Sequence, residues 1–110
     1  RLIITTDHGT IKVTKPVRIV GERNTNTNLR YKAGRGLSYE QKEVFVIKNP
    51  QEAQLPKLKL SAEFVFAREQ DFFVYPNNYN HYVSYYRNTY QHGGISLEEM
   101  IIPFLVMNPK

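Results

Sequence analysis

The stretch LIITTDHGT, Leu2 to Thr10, decides how the rest of the chain is read. Leu2-Ile3-Ile4-Thr5-Thr6 is short, apolar and β-branched, the pattern of a buried strand. It stops abruptly at Asp7-His8-Gly9. Neighbouring side chains on a strand point to opposite faces, so Asp7 and His8 can share one ion only where the strand breaks. Gly9 marks that break. A carboxylate oxygen beside an imidazole nitrogen suits a divalent metal, and zinc accepts both donors. The same residues also read as an ordinary turn in which Asp7 accepts backbone amides.

Working outward, Ile11-Lys12-Val13-Thr14 alternates apolar and polar, and so does Val17-Arg18-Ile19-Val20 after Pro16. These are one bent strand or two. Gly21 to Gly36 is polar, rich in Asn and Thr, and shows no period, so it reads as a long loop. That loop carries Arg23, Arg30, Lys32 and Arg35. Val44 to Ile47 reads as a strand closed by Asn49-Pro50, Pro50 to Gln54 as a single helical turn, and Leu55 to Leu60 as extended or irregular. Glu63 to Ala67 and Phe72 to Tyr75 flank Arg68 to Asp71, a spacing that predicts a β-hairpin. Tyr79, Tyr82, Val83 and Tyr86 follow helical spacing. After the break at Gln91-His92-Gly93-Gly94, Ser96-Leu97-Glu98-Glu99 spells a capping box for a brief helix. Ile101 to Val106 reads as a last buried strand.

Composition narrows the function classes. The chain has 110 residues, with no internal repeat or second domain boundary, so 1–110 is a single domain or a part of one. A net charge of +5 favours anionic partners such as phosphate, nucleic acid or lipid head groups. The absence of cysteine removes disulfides, thiolate catalysis and cysteine-type zinc sites, and agrees with a cytoplasmic location. No apolar run approaches the roughly 18 residues of a membrane span, so no membrane insertion is expected. Arg1 leads straight into a strand-like run without a signal-peptide layout, which reads as a fragment cut upstream of an internal strand.

His92 is the second candidate ligand, set in a polar turn with two glycines directly after it. A lone histidine before two glycines is more often a solvated turn residue. His81, between Asn80 and Tyr82 on the tyrosine-rich helix, reads as structural. The cations Arg23, Arg30, Lys32 and Arg35 are candidates for phosphate contact, because Arg presents a planar fork to phosphate oxygens. Tyr79, Tyr82, Tyr85, Tyr86 and Tyr90 could stack bases or simply pack.

The ending TYQHGGISLEEMIIPFLVMNP resembles the terminus of the PglZ branch of the alkaline phosphatase superfamily. The opening IITTDHGTIKV is similar to that superfamily's Asp-His zinc-ligand strand and turn. The middle, GERNTNTNLRYKAGRGLSY, resembles the PglZ domain of PorX-type response regulators of the Bacteroidetes, which act with the type IX secretion system. The resemblance spans essentially the whole chain. It implies that Asp7 and His8 ligate one zinc of a two-metal site and His92 the other. It places the remaining ligands and the Ser or Thr nucleophile upstream of Arg1, together with a receiver domain through which a histidine kinase would act. Thr5, Thr6 and Thr10 do not match the nucleophile's motif.

Two functions follow as expectations. The first is the C-terminal part of a zinc-dependent phosphodiesterase, inactive by itself, whose parent cleaves a phosphodiester such as an oligonucleotide or cyclic nucleotide. The second is a non-enzymatic basic and aromatic module that binds nucleic acid or a protein. The expected fold is a strand-rich C-terminal piece of an alkaline-phosphatase-like α/β/α domain, with a β-hairpin and two short helices. Its opening strand belongs to a central sheet, and exposed sheet edges favour self-association.

Overall fold

The computed structural model describes residues 1–22, 25–56 and 60–110. The strands are β1 (Leu2–Thr5), β2 (Ile11–Lys12), β3 (Lys15–Val20), β4 (Tyr31–Gly34), β5 (Ser38–Tyr39), β6 (Val44–Ile47), β7 (Glu63–Ala67) and β8 (Asp71–Val74). Helix α1 (Tyr79–Tyr86), β9 (Tyr90–Gln91), α2 (Leu97–Met100) and β10 (Phe104–Met107) complete the order. Two 3-10 turns, Gln41–Glu43 and Pro50–Ala53, flank β6. The chain is therefore a mixed α/β fold with many strands and two short helices, as its sequence pattern predicts.

Two three-stranded sheets and one helix form the body. One sheet has the order β5-β3-β8, the other β4-β7-β6. Val17, Ile19 and Phe73 meet Val44, Val65 and Ala67 between the sheets. On the opposite face of the first sheet, Phe72 and Val74 pack with Ile11, Val13 and Val83, covered by Tyr79 and Tyr86 of α1. Phe72 and Phe73 are adjacent and both essentially fully buried, because strand alternation sends one to the helix and one to the second sheet. Phe64 and Phe66 fill the outer face of the second sheet with Tyr31 and Ile47.

Three sequence expectations are corrected here. First, β7 and β8 do not pair as a hairpin. β7 lies antiparallel between β4 and β6, whereas β8 runs parallel to β3 with Val17 opposite Phe73. Both strands are apolar on both faces, so each is stabilised more by lying in a separate sheet than by pairing locally. Second, the Gly21 to Gly36 segment is not wholly loop, because it contains β4. Third, the apolar runs at the two ends are strands but are not buried. β1 and β10 pair antiparallel, with Ile3 opposite Val106 and Ile4 opposite Leu105, and every residue of this ribbon is exposed.

A second short ladder positions the site. β2 and β9 pair antiparallel, with Ile11 opposite Gln91 and Lys12 opposite Tyr90. That register brings the residues before Ile11 alongside those after Gln91. The Asp7-His8-Gly9 turn and the His92-Gly93-Gly94 turn therefore meet.

Candidate metal centre

His8 and His92 stack face to face, with ring centroids 3.7 Å apart and planes 12° from parallel. Sequence reasoning proposed both residues, and folding brings them together. Asp7 stands beside them, Oδ1 lying 3.5 Å from His8 Nε2. His8 Nδ1 lies 2.8 Å from the Gly9 carbonyl oxygen. A carbonyl only accepts, so Nδ1 donates to it, and Nε2 is the ring nitrogen that faces Asp7. A backbone carbonyl orienting a histidine through its other nitrogen is the usual support for a metal-ligating imidazole.

A carboxylate oxygen and an imidazole nitrogen are donor types that zinc accepts. Ligands about 2.1 Å from a tetrahedral ion stand about 3.4 Å from one another, close to the Asp7–His8 separation. The two rings cannot address one ion. An imidazole binds metal in its own plane, and here the planes are parallel and stacked. Each ring would therefore serve a separate ion, Asp7 and His8 one and His92 another. Accordingly, no group of three His, Cys, Asp or Glu side chains among the described residues can hold a single ion.

The turns are held by close backbone contacts. Gly9 N–H donates to the Glu99 carbonyl at 2.9 Å. A side chain at position 9 would drive its Cβ to 1.9 Å from the Glu98 carbonyl oxygen, so only glycine lets the turn rest on α2. Gly93 has φ +100°, a backbone conformation that disfavours any side chain. The Asn28 side-chain amide donates to the His92 carbonyl at 3.1 Å. Asn28 Oδ1 in turn accepts the Arg30 N–H at 2.7 Å.

The basic-loop expectation changes at two of its four positions. Arg30, in the bend just before β4, is fully buried rather than solvated. Its Nε and Nη2 donate to the two carboxylate oxygens of Glu99 at 2.9 and 3.1 Å, and Nη1 donates to the Asp71 carbonyl. A guanidinium so enclosed has no face left for a phosphate. Lys32 lies on β4 and is also buried, its Nζ donating to the Asn26 carbonyl at 3.0 Å and sitting 4.7 Å from the centre of the Tyr75 ring. Burial pulls its pKa down to about 8. Arg35 is exposed beyond β4. Arg23 lies outside the described residues. Sequence reasoning missed the roles of Glu99 and Asn28. The capping-box position of Glu99 was legible, but its partner Arg30, far away in sequence, was not.

Glu99 is buried as well. Burial by itself raises its pKa, but the hydrogen bonds from Arg30 and Ser96, the Arg30 charge and the Gly94 N–H together hold it below the ordinary value. Asp71 moves the other way, pushed up chiefly by burial. Beside the site, Lys32 helps line a cavity of about 340 Å³ with Leu29, Phe73, Tyr75, Tyr82 and Tyr86.

The family model of the BREX system PglZ alkaline phosphatase-like domain matches residues 1–107. The chain belongs to the PglZ family. No curated protein matches it. Membership makes this PglZ chain a phosphoesterase-type domain, and alkaline-phosphatase-like domains are generally metal-dependent. No described helix of the PglZ chain is long and apolar enough to cross a membrane.

Proposed function

We propose that this PglZ chain is the C-terminal part of a zinc-dependent phosphodiesterase domain. The observation that carries the reading is the stacked His8–His92 pair with Asp7 at the edge of His8. Asp7 and His8 hold one zinc ion and His92 a neighbouring one. Bound zinc supplies the charge that clamps the attacking and leaving oxygens of a phosphoryl group. Three donors leave both coordination spheres incomplete, and affinity falls when ligands or their supports are missing. The nucleophile and remaining ligands therefore come from the preceding part of the domain, and this chain alone does not turn over substrate.

The substrate is a phosphodiester such as an oligonucleotide or cyclic nucleotide. The cavity beside Lys32 offers aromatic walls for a base. Thr27 and Leu29 line it on either side of Asn28, which holds the His92 turn. The resemblance of residues 21–39 to PorX-type proteins supports a response-regulator effector, driven by a histidine kinase through a receiver domain.

Zinc titration by calorimetry tests the metal assignment. Zinc binding should weaken at least tenfold in both His8→Ala and His92→Ala. Unchanged binding in either variant rejects it. Oligonucleotide binding that weakens with salt yet survives His92→Ala favours the non-enzymatic module instead. A zinc-loaded chain that hydrolyses a nitrophenyl phosphodiester as fast as an intact domain overturns the claim that the chain is catalytically incomplete.

A further inference from the structure

We propose that Glu99 is a positioning residue that locks the His8 and His92 turns into one unit. It rests on the metal-site reading only for its purpose, since the contacts stand without it. The Glu99 carboxylate receives five donors. Two come from Arg30, at 2.9 and 3.1 Å. The Gly94 and Ser96 backbone N–H groups donate at 3.0 and 3.1 Å, and the Ser96 hydroxyl at 2.7 Å. The same residue's carbonyl accepts from Gly9 N–H. Glu99 is thus bonded through its backbone to the residue after His8, and through its side chain to the residue two beyond His92.

The chemistry explains why a charged pair sits in this place. An apolar side chain at position 99 would leave the Gly94 and Ser96 N–H groups without their acceptor. A carboxylate accepts from several donors at once, and Arg30 neutralises it bidentately. Arg30 N–H also bonds Asn28, which holds the His92 carbonyl. The ion pair therefore ties both ends of the HGG turn to the sheet body. A buried pair of this kind contributes little net stability compared with apolar residues of similar size. What it supplies here is geometry, by fixing where His92 stands over His8.

Two double variants separate geometry from stability. Arg30→Met with Glu99→Gln removes both charges but keeps a carbonyl acceptor for Gly94 or Ser96. Arg30→Met with Glu99→Leu removes the acceptor too. Both should fold, the Leu pair melting lower because the Gly94 and Ser96 N–H groups lose their acceptor. The stacked rings give their carbon-bound protons upfield ring-current shifts in NMR spectra. The Gln pair should keep those shifts. The Leu pair should lose them at both His8 and His92, and its zinc affinity should fall 10- to 100-fold below that of the Gln pair. Retained shifts in a folded Leu pair overturn the proposal, and so does a Leu pair that fails to fold beside a folded Gln pair. Lost shifts in a chain that never bound zinc uphold the positioning role and reject the metal reading instead.

The unsubstituted protein supplies a second test that no folding failure can block. Amide hydrogen exchange should show the Gly9, Gly94 and Ser96 amides opening together with one protection factor. Independent opening of Gly94 and Gly9 overturns the proposal.

Discussion

Lys32 shows how one residue's surroundings set its chemistry. Its ammonium is buried on β4 with one carbonyl and one aromatic ring for company. Its folded pKa of about 8 lies below the unfolded value of 10.5. Between those pH values the unfolded chain binds more protons, so stability rises with pH across that window. Below about pH 8 the side chain is charged in both states and the cost of burial is fully present. Lys32→Met should therefore raise Tm at pH 7 by several degrees, each kcal/mol being worth roughly 4–8 °C in a domain of this size. The gain should shrink as pH approaches 10.5. A thermal scan in which the Met variant melts lower at pH 7 refutes this account of Lys32. The position of Lys32 in the sequence, among Asn, Thr and Arg, carries no sign of burial. Nothing local distinguishes it from exposed Arg35, because burial depends on which strand lands opposite. Asp7, His8 and His92, which the fold brings together, stand out in the sequence because each interrupts a pattern: a strand that stops at a glycine, and a polar turn before a capping box.

At the element scale, adjacent aromatics do separate jobs. Phe73 joins the two sheets, and Phe72 joins the first sheet to α1. Each change to Ala should cost about 3–5 kcal/mol in urea unfolding. Only Phe72→Ala should also alter the near-ultraviolet dichroism of Tyr79 and Tyr86, which pack in its cluster. A cost below about 1 kcal/mol for Phe73→Ala would mean that the two sheets do not share a core. The longer apolar strands, the α1 helix and the capping box of α2 were readable from period and capping residues, whereas β4, β5 and β9 were not. Pairing was not. Two consecutive apolar strands joined by four residues satisfy the hairpin rule as well as they satisfy separate sheets. The choice was made by β3, β4 and β6, which offer longer ladders to β7 and β8 than those two offer each other.

For the whole molecule, exposed surface is the dominant feature. The accessible area is 7868 Å², whereas a compact monomer of 12.9 kDa exposes about 6,300 Å². Much of the surplus lies on the β1–β10 ribbon, where Leu2, Ile3, Ile4, Phe104, Leu105, Val106 and Met107 are all at least 40% exposed. Isolated two-stranded ribbons are marginal in water, and bare apolar edges invite pairing. The chain should therefore self-associate, and Ile3→Lys with Val106→Lys, a cross-strand pair, should return it to monomer. Light scattering after size exclusion measures both, and an unsubstituted chain that is monomeric at every concentration defeats the prediction. The sequence by itself determined the mixed α/β class, the main apolar strands and the two short helices, because periodicity, capping and residue chemistry are local properties. Tertiary structure alone decided that β7 and β8 part, that Arg30 meets Glu99 in the interior, and that His8 stacks on His92. Those outcomes depend on contacts between residues far apart in the chain, and no local pattern encodes which distant partner satisfies a buried charge or faces an imidazole ring.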